Sequence, residues 1–67
     1  MAVDVVRVYR DHAGAWRWRR TADNGKIVAD GAEGYLHRED CYGEARKVNG
    51  PDVTYELDSP LLDRPEV

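Results

Sequence analysis

The chain predicts an α+β domain: three antiparallel strands, one helix and a closing strand, in the order β-β-β-α-β. Residues 3–10 and 15–22 carry β-branched or alternating residues, and each stretch ends in a polar, glycine-containing turn. A single later segment, 37–48, spaces its apolar residues at helical intervals and stops at Asn49-Gly50-Pro51. Strands first and a helix afterwards favour a sheet with the helix on one face.

The first strand spans 3–10, Val-Asp-Val-Val-Arg-Val-Tyr-Arg, and Asp11-His12-Ala13-Gly14 forms a polar loop after it. Residues 15–22 alternate cleanly. Trp16, Trp18, Arg20 and Ala22 share one face, and Arg17, Arg19 and Thr21 the other. Asn24-Gly25 is a strong hairpin signal, because both residues tolerate positive φ in a two-residue type I′ turn. That turn pairs Asp23 with Lys26, Ala22 with Ile27, Arg20 with Ala29 and Arg19 with Asp30, and residues 26–30 make the third strand. In the first hairpin, the expected register sets Val8 opposite Trp16, Val6 opposite Trp18, Arg7 opposite Arg17 and Asp4 opposite Arg20.

Gly31 and Gly34 break the third strand before Tyr35. In the helix, Cys41, Ala45 and Val48 form a short apolar stripe. Glu39 and Asp40 come early and Arg46 and Lys47 late, as the helix dipole favours. Gly43 in mid-helix suggests a close packing contact. Residues 53–57 alternate again as the last strand. The domain is expected to span 1–57, and 58–67, with two prolines and two aspartates, is expected to be a disordered tail.

With 67 residues the chain has room for one domain, and such a domain buries only about 60% of its unfolded surface. The inner-face inventory is Val6, Val8, Trp16, Trp18, Ala22, Ile27, Ala29, Cys41, Ala45, Val48, Val53, Tyr55 and Leu57, a thin core for a single chain. One cysteine excludes an internal disulfide and fits a reducing, cytoplasmic setting. No apolar run approaches the ~20 residues of a membrane span. The net charge of −3 argues against a dedicated nucleic-acid binder. Eight arginines against two lysines, with eight aspartates, fit a salt-adapted organism or a GC-rich genome.

Tyr9-Arg10-Asp11, Trp16-Arg17-Trp18-Arg19, Asn24-Gly25 with Ile27-Val28-Ala29, and Glu33-Gly34-Tyr35 before the helix occur in that order. In combination they resemble the YegP-like domain family of uncharacterised proteins, over roughly two-thirds of the chain. The resemblance implies units of three strands, a helix and a final strand, which pair into one sheet and exchange their last strands. A chain carrying one unit is then a homodimer, in which shared edges no longer invite aggregation. This chain departs from the family pattern at Leu36-His37-Arg38, where Ser or Lys-rich positions are usual. It departs again at Glu44 and Ala45, with Gly43 one place early. The family has no established activity, so no catalytic residue is carried over.

Each candidate for chemistry competes with a plainer role. Trp16 and Trp18 with the neighbouring arginines resemble a base-stacking platform, but their spacing turns the rings toward the valines and makes them core. Arg7, Arg17 and Arg19 line one outer face and are the residues for anion or nucleic-acid binding; the structural alternative pairs Arg19 with Asp30. His37 and Cys41 stand at i and i+4 without the further ligands of a zinc site, so no metal or cofactor is expected. Cys41 reads as a small buried hydrophobe. Glu33-Gly34-Tyr35 is expected to brace the helix start, with Glu33 on backbone amides and Tyr35 wedged between sheet and helix; a small ligand notch is its alternative. The expected function is a non-catalytic homodimeric interaction or scaffold module, with anion or nucleic-acid binding as the alternative and no membrane partner.

Overall fold

The computed structural model describes residues 3–58. Its elements are β1 (Val5–Arg10), β2 (Trp16–Thr21), β3 (Ile27–Asp30), α1 (Arg38–Asn49) and β4 (Thr54–Leu57). They form a four-stranded mixed sheet in the order β3-β2-β1-β4, with one helix, as the α+β expectation requires. The strands β1, β2 and β3 form antiparallel hairpins, while β4 pairs parallel to β1 of its own chain, Val5 facing Thr54 and Val8 facing Leu57. The helix carries the chain from the β3 edge to the opposite edge, which is what a parallel closing strand needs. Asp58 continues β4, its N–H bonded to the Val8 carbonyl at 2.9 Å. The expected tail otherwise lies outside the described residues.

Both hairpin loops are built the same way. In the first, the Gly14 N–H reaches the Asp11 carbonyl (3.0 Å) and the Asp11 N–H reaches the Ala15 carbonyl (2.8 Å). In the second, Gly25 bonds Ala22 (2.9 Å) and Ala22 bonds Lys26 (2.8 Å). Gly14 and Gly25 sit at φ 87° and 89°, where a side chain would be strained. The second loop therefore closes on Ala22 and Lys26, which corrects the two-residue turn closed by Asp23 and Lys26. A register shift follows between Arg20 and Thr21, so Thr21 rather than Ala22 lies opposite Ile27. The Arg20–Ala29 and Arg19–Asp30 pairs stand as expected.

The first hairpin is corrected by two residues. Trp18, not Trp16, lies opposite Val8; Arg20 faces Val6, Arg19 faces Arg7, and Trp16 faces Arg10. The cause is the loop. The Asp11 carboxylate accepts from the N–H groups of Ala13 and Ala15, both at 2.9 Å, and this holds the turn beyond Arg10. A slip of two keeps every side chain on its face, so valines and tryptophans still meet.

The core consists of Val6, Val8, Trp16, Trp18, Cys41 and Ala45. Ala29, Tyr35, Tyr42, Val53 and Tyr55 pack around it, half-buried. Small Cys41 and Ala45 let the helix approach two indoles. The helix packs on β1 and β2. Ile27 and Val48 were expected inside but are 56% and 59% exposed, since the helix does not extend over β3. Gly43 is a further correction: a Cβ there would meet nothing within 4 Å, so it marks no close contact.

The helix start lies one residue beyond expectation, with His37 as an N-cap whose side chain makes no capping bond. Gly50 ends it at φ 75°, its N–H on the Arg46 carbonyl. Tyr55 of β4 donates to the Gly50 carbonyl and meets Tyr42 edge-on at 5.5 Å, with Arg46 above both rings. These contacts fasten β4 to the helix.

Candidate functional site

Two concavities among the described residues bear on a site, one on the outer face of the sheet and one on its helix side. The outer one, of about 250 Å³, is lined by Arg7, Tyr9, Arg10, Arg19, Thr21 and Asp58. The alternation of β1 and β2 brings Arg7, Tyr9, Arg19 and Thr21 out together, whereas Arg10 alternates onto the face of Val6 and Val8 and sets its guanidinium 5.8 Å from the Trp16 ring. Arg7 is held bidentately by Asp58, with Nη2 at 3.1 and 3.0 Å from its two oxygens. Arg19 lies over the Tyr9 ring at 5.1 Å and bonds its hydroxyl oxygen at 3.3 Å. The expected Arg19–Asp30 ion pair is thus replaced by a stack on Tyr9, although the two backbones lie opposite each other.

Arg17 does not join this groove. Its Nε sits 2.6 Å from Asp11 Oδ2 and its Nη1 reaches the Ala32 carbonyl at 3.4 Å. The guanidinium bond, with the Ala15 N–H, holds the Asp11 carboxyl below its ordinary value, and Asp11 in turn raises Arg17. Arg17 therefore ties the first loop to the segment after β3. Of the expected trio, only Arg7 and Arg19 come together. The two-residue shift from the expected register brings Arg19, in place of Arg17, opposite Arg7 on that face.

The second concavity, about 480 Å³, opens on the helix side beside β3. Trp18, Ala29 and Val48 form its apolar lining, Gly31 and Tyr35 its wall, and Asp30, Glu33 and Glu44 its carboxylates. Two glycines shape it. A Cβ on Gly31 would lie 2.8 Å from Trp18 Cδ1, and one on Gly34 would lie 2.7 Å from Ala15 Cβ. The chain can cross the indole edge closely only because these positions lack side chains. Tyr35 is held by a backbone bridge to Trp16, with N–H to carbonyl distances of 2.8 and 2.7 Å in the two directions. Burial raises the pKa of its hydroxyl, and nearby Glu44 and Glu33 add to that shift, so it stays protonated. Tyr35 packs against the core as expected. Glu33 stands by Tyr35 and the cleft, not at the helix amides, which corrects that part of the reading.

Trp16 and Trp18 are each only 4% exposed, so the core reading holds and the open stacking platform does not. Cys41 is fully buried, and desolvation pushes its thiol up to about 11, which leaves it unreactive at neutral pH. Among the described residues no three of His, Cys, Asp and Glu are placed to hold a metal ion. No helix among them is long and apolar enough to cross a membrane.

The family model described as Domain of unknown function (DUF1508) matches residues 11–52. The chain belongs to this family. It is the YegP-like family whose motifs the hairpin and the Glu33-Gly34-Tyr35 turn carry. A similar DUF1508-sized fold is seen in the NMR solution structure of a protein from Haloferax volcanii, which is 38% identical. The match covers 79% of this chain and 92% of that one, with a TM-score of 0.63. None of the curated proteins matches the chain. For a DUF1508 chain the family therefore supplies the fold and no activity.

Proposed function

We propose that this chain is a non-catalytic interaction module that works in the cytoplasm as a homodimer, two copies sharing a sheet and exchanging β4. One observation carries the reading. Six residues are buried among the described ones, while Val3, Ile27, Val28, Leu36, Val48 and Leu57 are exposed. A core that small needs a partner or another staple, and the lone Cys41 offers no disulfide. Val3 and Leu57 lie at the β1–β4 end of the sheet, where a second copy would cover them. Exchange keeps every β1–β4 contact and changes only which chain supplies it. Gly50, Pro51 and Asp52 between α1 and β4 form the hinge on which such an exchange turns.

Val5 and Thr54 are opposed across β1 and β4, which provides the test. Val5→Cys and Thr54→Cys chains, each in a Cys41→Ala background, are refolded together and oxidised. A two-chain disulfide product is expected. Exchange is wrong if the mixture stays uncrosslinked while the double variant closes within one chain. Light scattering at 7.6 kDa would remove the dimer as well.

The outer groove supports a second reading, anion or nucleic-acid binding through Arg7 and Arg19. Single-stranded RNA is then expected to shift the Tyr9 and Arg19 resonances at low salt, with the effect falling steeply as salt rises. Equal titrations of Arg19→Ala and the parent would end this reading. The ion pair with Asp58 already neutralises Arg7, which is why the dimeric module is preferred.

A further inference from the structure

Within its own chain Gly43 has no packing role. It stands in the middle of α1, where a glycine costs up to about 1 kcal/mol relative to alanine. Yet a Cβ there would meet nothing within 4 Å. With about 3.6 residues per turn, it lies on the side of the helix away from Cys41 and Ala45, the two buried residues of α1. Glu39, Asp40, Arg46 and Lys47, all exposed, surround it. Helical spacing puts Asp40 and Lys47 on one flank of Gly43, and Glu39 and Arg46 on the other.

We propose that this face of α1 is a contact between two copies of the chain, whose helices cross antiparallel at Gly43. Two-fold symmetry reverses the second helix and keeps each flank on its own side. Asp40 then comes beside Lys47 of the second copy, and Glu39 beside Arg46 of the second copy, each pair made twice. Parallel helices would instead set the acidic residues beside acidic ones and the basic beside basic. The charges are available for this. Among the described residues neither Glu39 nor Asp40 is in an ion pair, and Lys47 reaches Glu44 only at 3.9 Å. Arg46 lies over the Tyr42 and Tyr55 rings and has no carboxylate partner. The helix dipole favours the order of these charges along α1, but it gives no reason for a glycine between them. Close approach does, since helix axes come within about 8 Å only where the crossing residues are small. The face is small and mostly polar, so the association is weak and reversible, with charge setting its orientation. It uses the side of α1 turned away from the sheet and does not depend on exchange of β4.

Disulfide trapping tests the pairing. Asp40→Cys and Lys47→Cys chains, each with Cys41→Ala, are oxidised as an equal mixture and, at the same total thiol, singly. The mixture is expected to give a two-chain product several times faster than either single-cysteine sample. Gly43→Leu in both chains is expected to slow the mixed product about tenfold, because a side chain at the crossing holds the helices apart. That substitution leaves every charge in place, so it separates a built contact from charge-driven collision. Circular dichroism checks that the helix is retained. Gly43→Ala is the second variant, used should leucine unfold the chain, with a smaller slowing expected. Equal rates in the mixture and the single samples would leave this face to solvent or to another protein, and would overturn the proposal. So would folded Gly43 variants that crosslink as fast as the cysteine pair alone. Exchange of β4 is read by the Val5–Thr54 product instead, so either idea can fail without the other.

Discussion

Asp11 shows how one side chain can set a register. Its carboxylate accepts from the Ala13 and Ala15 N–H groups and from Arg17, while its own backbone closes the loop with Gly14 and Ala15. These bonds hold the turn at Asp11–Ala15 and set Arg10 opposite Trp16. They also make the hairpin sensitive to acid. The Asp11 pKa is lowered first by Arg17 and then by the backbone donors. A carboxyl held below its unfolded value stabilises the fold above that value, near 4, and the contribution is lost as pH falls through the folded pKa. Asp11→Asn keeps an acceptor but loses the titration. Urea midpoints of the parent are therefore expected to fall more steeply than those of the variant between about pH 5 and 2. Parallel curves would show that Asp11 is not the group responsible. Cys41 behaves oppositely: its raised thiol costs stability only as pH climbs from the unfolded value toward about 11.

The elements differ in how their glycines are used. Gly31, between β3 and α1, lies on the Trp18 indole, and Gly34 lies on Ala15. Gly43, within α1, is exposed and touches nothing that a methyl group would displace. Gly43→Ala is thus expected to stabilise the chain by up to about 1 kcal/mol through helix propensity and reduced unfolded-chain freedom. Gly31→Ala is expected to destabilise it by about 1–3 kcal/mol, because backbone and indole must separate. Chemical denaturation of the two variants reads both effects, and a stabilised Gly31→Ala would show that the crossing over Trp18 is loose. The same crossing forms the wall of the helix-side cleft, so packing and candidate site share one residue.

At the scale of the molecule, the helix spans half of the sheet. It rests on β1 and β2, closes over Cys41 and Ala45, and leaves β3 with the cleft beside it. The β4 strand closes the other edge and is fastened by Tyr42, Tyr55 and Arg46. Local pattern made most of this legible. β-branched runs, glycine turns and the Asn49-Gly50-Pro51 stop identified five elements, with boundaries within about two residues of those observed. Alternation identified the buried faces, because a strand turns side chains to opposite sides at every step. It also separated the tryptophans from Arg17 and Arg19. What alternation leaves open is any shift of two residues, which preserves the faces. The Asp11 loop settled that shift through bonds that depend on atomic positions. Reach is similarly absent from a pattern: Ile27 and Val48 have core spacing, but the helix axis passes elsewhere and both remain exposed. The partners of the arginines were the least legible, since a guanidinium selects among carboxylates and rings several residues away. Sequence by itself determined the order of elements, the buried faces and the family. Tertiary structure decided the register, the extent of the core and the cleft, because each depends on where the helix and loops meet the sheet in space.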